Sequence, residues 1–271
     1  MRSVNGWPIG VCSWSLHDDV DAIQSLLKQQ ALSHLHLHVA ALEGPGGDRL
    51  RGLIAREGWT VTCTMVGFPQ EDYSTLERIR LTGGVVPEAD WPANKDRLVQ
   101  AIATTSALGV PYLSLHAGFL NHTDPAYAAT FEGRIREVAE VAAEQGVTIL
   151  LETGQERAAD LRDFMQALNH PALGINFDPA NMILYDKDDP LDAVRILSPW
   201  IRHVHIKDAT RTRTPGTWGV EVPWGDGEVQ ANAFLGALAE AGYNGALAIE
   251  REAGDSRVVD IGKAIERLTH D

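Results

Sequence analysis

"GINFDPANMILY", residues 174–185, begins as an apolar run of strand length, breaks on Asp178, Pro179 and Asn181, and then turns apolar again. A buried strand that stops on a carboxylate raises two questions: what surrounds the strand, and what the carboxylate faces. Seven further runs answer the first. "PIGVCSW" (8–14), "HLHLHV" (34–39), "TVTCTMVGF" (60–68), "PYLSLHAG" (111–118) and "VTILLET" (147–153) precede it; "IRHVHIKD" (201–208) and "GALAIERE" (245–252) follow, and the run itself reads "LGINFD" over 173–178. Segments of helical period lie between them at 20–30, 48–57, 94–108, 126–145, 157–169, 189–197, 230–241 and 256–269. The longest stops just before Gly146, as a C-terminal glycine would make it stop.

Strands that alternate with helices pair in parallel, because each crossover returns the chain to the same edge of the sheet. Eight such units, with about 26 residues between the ends of several consecutive strands, predict an α/β fold, a (β/α)8 TIM barrel, as one domain over 1–271. An open doubly wound sheet is the alternative, but no GxGxxG follows the first strand. Two connections exceed the repeat: 67–94 after the third strand and 209–229 after the seventh. Both leave the C-terminal ends of their strands, the face where barrel active sites form, and are candidate lids or rims. Surface ornament is the plainer reading, since long loops are cheap to insert.

Composition narrows the function classes. Of 271 residues 44% are hydrophobic, enough for a large core, and 23 lysines and arginines against 37 aspartates and glutamates leave a formal charge of -14. That charge opposes binding to nucleic acid or to an anionic membrane surface. Cys12 and Cys63 sit in apolar stretches with no CxxC and read as reduced core residues. No signal-like h-region and no apolar run near the roughly 20 residues needed to cross a bilayer is present, so a cytoplasmic protein is expected.

The second question concerns chemistry. Four late strands end on groups that bind divalent cations: Glu152, Asp178, His205 and Glu250. Alternation puts Glu152 in phase with Leu150, Asp178 with Asn176, His205 with His203 and Glu250 with Ala248, so barrel closure brings the four around one cavity. Three carboxylates repel one another unless a positive centre lies between them. An O3N donor set without thiolates fits one divalent metal ion, Mn2+ foremost, and admits Mg2+, Co2+ or Zn2+. The alternative is that both glutamates pair with arginines while His205 is a satisfied core histidine.

"IGVCSWSL", "LLET", "GINFDPANMILY", "RHVHIKDA", "VPWGDGEV" and "YNGALAIEREAG" together resemble the xylose isomerase-like TIM-barrel superfamily. Within it the chain is similar to the sugar phosphate isomerases/epimerases, which include ketose 3-epimerases and inosose dehydratases. The resemblance implies that Glu152, Asp178, His205 and Glu250 hold the metal, and that Glu152 and Glu250 are also the catalytic acid/base pair. It implies substrate contacts at Arg211 and at Asn181, where the ketose 3-epimerases carry histidine. An amide can hold a hydroxyl but cannot titrate near neutrality. Further substrate contacts are expected at Lys207, which shares the phase of His205, and at His116 and His38. Trp14, with Phe68, Trp91 or Trp218, could wall a sugar face. The expected activity is a metal-dependent isomerase or epimerase that moves a proton through a metal-stabilised enediolate of a small ketose or related polyhydroxy carbonyl compound. Alternatives are a dehydratase or lyase acting on an inosose or keto-sugar, and a non-catalytic sugar-binding barrel; an abasic-site endonuclease is disfavoured by the charge. The expected partner is a small sugar or cyclitol, unphosphorylated because no P-loop or dense arginine cluster is evident. Homo-oligomerisation stays open.

Overall fold

The computed structural model describes residues 2–44 and 46–270. Eight strands form its centre: β1 Trp7–Cys12, β2 His34–His38, β3 Thr60–Met65, β4 Tyr112–Leu115, β5 Thr148–Glu152, β6 Leu173–Phe177, β7 Ile201–Ile206 and β8 Leu247–Ile249. Each pairs in parallel with the next, and β8 pairs back onto β1, so the sheet closes into the expected (β/α)8 barrel. Closure removes both free edges of the sheet.

Helices form where the period and the caps agree. Asp19 accepts from the Ala22 amide and starts Val20–Gln30, the span that the period predicts. Asp124 accepts from the amides of Ala126 and Tyr127 ahead of Pro125–Glu144, and Gly146 follows at φ +69°. The outward faces of the strands pack on these helices. Phe177, fully buried, stacks on Phe234 of the helix Ala231–Glu240, with ring centroids 5.9 Å apart.

Most strands are shorter than their apolar runs, because the chain turns as it leaves the barrel. Ser13–Leu16 folds into a 3-10 turn, as does Val39–Leu42. Pro179–Leu184, read from sequence only as an apolar return, is a short helix capped by Asp178. The 67–94 connection contains a helix, Leu76–Thr82, and the 209–229 connection belongs to a hairpin that pairs Asp208–Thr210 with Val220–Val222. Asp208 anchors that hairpin: its carboxylate accepts from the amides of Ala209, Gly225, Gly227 and Val229. Cys12 and Cys63 are free and buried, and burial pushes the Cys12 thiol up to about 12. Among the described residues no helix is long and apolar enough to cross a membrane.

Glu156, four residues beyond β5, is a buried carboxyl. Burial raises it from an ordinary 4.5 to about 8, although Lys187 pulls the other way. The folded state therefore binds a proton here that the unfolded chain has released, and the associated stability, complete below pH 4.5, is lost as pH rises through about 8. Glu156→Gln is accordingly expected to gain stability over the parent as pH increases from about 5 to 8, read from urea midpoints at each pH. A difference that is constant with pH would contradict this.

Candidate metal centre

The register of the strands decides which side chains meet. Glu152 is level with Asn176, and His205 is level with Ala248; Asp178 and Glu250 follow two residues later, in the same phase. Two offsets adjust the layer beneath them. Between β2 and β3 the partners step from Leu35–Val61 to His36–Cys63, and between β6 and β7 from Ile175–Ile201 to Asn176–His203. Each offset adds one residue on the longer strand, Thr62 and Arg202 respectively, and so re-aims the positions that follow.

Glu152, Asp178, His205 and Glu250 converge, each buried, with one ligand atom apiece all within 4.8 Å of one another. His205 Nδ1 is the hub. It lies 3.5 Å from Glu152 Oε1, 3.4 Å from Asp178 Oδ2 and 3.3 Å from Glu250 Oε2. Both His205 Nδ1 and Asp178 Oδ2 are buried without a hydrogen-bond partner, a costly arrangement for groups that a cation would satisfy. The donors therefore fit a divalent ion. Burial opposes charge on the His205 imidazole, but Glu250, Cys12, Glu152 and Asp178 raise it well above its ordinary value. A proton there does part of what a metal cation would do.

The remaining oxygens are fixed by neighbours. Asp178 Oδ1 caps the short helix through the Asn181 amide at 3.0 Å. Glu152 accepts from the side-chain amides of Asn181 at 3.1 Å and Asn176 at 3.2 Å. Glu250 accepts from Trp14 Nε1 at 2.5 Å and Lys207 Nζ at 2.8 Å. Burial works to raise the Glu250 carboxyl, yet Lys207 and His205 hold it well below the usual range. Gly154, at φ +134°, lets the β5 loop pass close to Asn181; a Cβ there would stand 2.3 Å from Asn181 Cβ. Beneath the four converging groups lies a buried polar layer. His203 bridges Thr62 Oγ1 and Asn176 Oδ1, each at 3.0 Å, and His36 Nδ1 is 2.9 Å from His205 Nε2. Burial and neighbouring imidazoles keep His36 and His203 well below the ordinary histidine value, hence neutral.

Above the four groups opens a cavity of about 700 Å³. Trp14, His38, His116, Asn181, Lys207 and Glu250 line it, as do residues of both long connections: Gly67, Glu71 and Tyr73 from one, Trp218, Gly219 and Glu221 from the other. His38 Nδ1 is held by Asp18 at 2.9 Å. His116 lies 3.5 Å from Glu152; burial would lower its imidazole, but Glu152 and Glu71 raise it. Lys207 contacts Glu252 as well as Glu250. Three expected contacts lie elsewhere. Arg211 turns to Asp186 and the Asp188 carbonyl, because the acidic stretch after the short helix captures its guanidinium. Phe68 packs into the core, and Trp91 lies under Arg134, 4.8 Å from its guanidinium carbon. Conversely, Glu71, Tyr73, Tyr185, Glu221 and Glu252 line the cavity without having been singled out in the sequence. Only Glu252 carried a signal, in phase two residues past Glu250.

The model of the xylose isomerase-like TIM barrel family matches residues 15–270. The crystal structure of a xylose isomerase domain protein from Planctomyces limnophilus is 30% identical, with a TM-score of 0.89 over 97% of this chain and 96% of that one. A xylose isomerase-like barrel from Mycobacterium smegmatis, solved in complex with magnesium, shares the fold at 18% identity, TM-score 0.74, over 100% and 99% of the two chains. Solved L-ribulose 3-epimerase and D-psicose 3-epimerase structures share it at similar identity. Among curated proteins, 82 residues are 33% identical to the 3-dehydroshikimate dehydratase of Bacillus anthracis, 29% of each chain. The matched segments span less than half the length of the curated relatives.

Proposed function

The chain belongs to the xylose isomerase-like TIM-barrel family, and from that premise we propose that it is a divalent-metal-dependent isomerase or epimerase of a small, unphosphorylated ketose or related polyhydroxy carbonyl compound. The observation that carries the reading is the pair Glu152 and Glu250, which reach one imidazole, at 3.5 and 3.3 Å, from strands three places apart in the ring. Glu152, Asp178, His205 and Glu250 would hold the ion, Mn2+ by preference; bound there it would supply a Lewis acid that polarises a substrate carbonyl and acidifies the adjoining C–H.

The side chains do the rest. Glu250, kept ionised by Lys207 and aimed by Trp14, suits a base at the carbon beside the carbonyl. Glu152, aimed by Asn176 and Asn181, suits the partner that exchanges the proton on the other side. Return to the opposite face of the same carbon yields an epimer, and return to the adjoining carbon yields the aldose–ketose isomer. The aromatic walls Trp14 and Trp218 fit the apolar face of a sugar ring or chain. Charge argues against a phosphate: Glu71, Glu221, Glu250 and Glu252 line the cavity, its lysine is already paired, and among the described residues no arginine lines it.

A second reading, dehydration of a keto-polyol, draws on His116, which stands beside Glu152 and could protonate a departing hydroxyl, and on the partial likeness to a dehydratase. One screen separates the two. Ketoses, inososes and keto-glycosides incubated with Mn2+ in D2O and followed by NMR are expected to give an epimer or isomer with solvent deuterium beside the carbonyl. Released water and an enone would establish the second reading. Binding without turnover across the panel would contradict both.

A further inference from the structure

We propose that His36 is a positioning residue that fixes the tautomer of His205 and thereby presents its Nδ1, as a lone pair, to the cation site. One neighbour of the His36 ring can only accept a hydrogen bond. The Thr64 carbonyl oxygen lies 3.3 Å from His36 Nε2, so that nitrogen carries the proton of the neutral ring, with Ser114 Oγ at 3.0 Å as a second acceptor. His36 Nδ1 is then a lone pair. It stands 2.9 Å from His205 Nε2, and this short contact is attractive only if His205 bears a proton there. Asn176 Nδ2, 3.1 Å from the same nitrogen, gives one of its two N–H groups to Glu152 Oε2; His36 Nδ1 is the nearer of the two partners of His205 Nε2.

What remains on His205 is Nδ1, facing three carboxylates with no hydrogen-bond partner, the position that a proton holds in the metal-free chain and that a cation would take over. The opposite tautomer of His36 would set a lone pair against the Thr64 carbonyl. The ring is held in place by the β2–β3 offset at Leu35 and His36 and by a T-shaped contact with Trp14, ring centroids 4.8 Å apart. Control of this kind, in which the non-ligating nitrogen of a metal-binding histidine is fixed by a partner, typically changes metal affinity by about 10- to 100-fold.

The inference rests on the four-residue cation site, and its test reads binding rather than activity. Mn2+ dissociation constants from competition with a chromophoric chelator are expected to rise about tenfold or more in His36→Leu, which has no acceptor. His36→Asn, whose Oδ1 can take the place of Nδ1, is expected to stay within about threefold of the parent. Unchanged affinity in His36→Leu, or equal weakening in both variants, would overturn the role. Should His36→Leu not fold, long-range proton–nitrogen correlation spectra of the Zn2+-loaded parent decide it: the expected proton on His36 sits on Nε2, leaving its Nδ1 to accept from His205, and one on His36 Nδ1 refutes the proposal. A parent chain that takes up no Mn2+ would remove the cation site, and His36's role with it; a parent that binds while the variants behave otherwise than stated removes the role of His36 alone.

Discussion

Glu250→Gln is expected to lower turnover by roughly a thousandfold while the barrel stays folded, the size of effect associated with losing a positioned general base. Glutamine matches glutamate in shape, and its carbonyl oxygen can still accept from Trp14 Nε1. At the other end an amide N–H2 would meet Lys207 Nζ, donor against donor, where the carboxylate now accepts at 2.8 Å. Lys207 retains Glu252, at 2.7 Å, so the change does not strand a buried charge. Proton transfer is lost, because an amide has no basic oxygen near neutrality. Glu252→Gln also takes a partner from Lys207 but touches none of the four converging groups; it should lose less than about tenfold. Steady-state kinetics on the sugar found by the screen, with circular dichroism to confirm folding, check the pair. Equal losses in the two variants, or an E250Q enzyme within tenfold of the parent, would reject Glu250 as the base.

Metal removal carries the second large effect. Dialysis against EDTA is expected to abolish turnover and lower the thermal midpoint, and Mn2+ should restore both. A ligand at a hundred times its dissociation constant stabilises the folded state by about 2.7 kcal/mol, equivalent to several degrees for a chain of this size. The metal-free protein is expected to remain folded, because His205 and Lys207 place positive charge among the carboxylates. Asp178→Asn supplies the control: it alters the carboxylate whose Oδ2 has no hydrogen-bond partner and faces the other three groups, so its midpoint should no longer respond to EDTA or Mn2+. Differential scanning calorimetry with and without chelator measures this, and an unchanged midpoint and activity after chelation would contradict it.

The barrel was legible because its signal is repeated. Eight apolar runs at strand length, alternating with helical periods, leave few topologies; seven of the runs contain their strands, and β1 begins one residue before its run, at Trp7. Their ends were less legible. "SWSL" and "PANMIL" continue the apolar pattern while the backbone turns, and only the Asp178–Pro179 pair, a cap followed by a first-turn proline, marks the second as a helix. The convergence of Glu152, Asp178, His205 and Glu250 could be read because period-two alternation fixes which strand-end side chains share the interior. Glu71 and Glu221 could not be read, since their loops have no period and reach the cavity only through tertiary folding. His36 illustrates a third case. Alternation in "HLHLH" puts three histidines on one face, but only the offset between β2 and β3 shows which of them lies under His205.

The central claim is that Glu152, Asp178, His205 and Glu250 hold one divalent cation, and a count of bound metal tests it most directly. Equilibrium dialysis of the full chain against Mn2+, with elemental analysis of the retained fraction, is expected to give one tightly held ion per chain. The E152Q/D178N double variant should retain none above background. Equal retention by the two proteins, or no retention by the parent, would contradict the account.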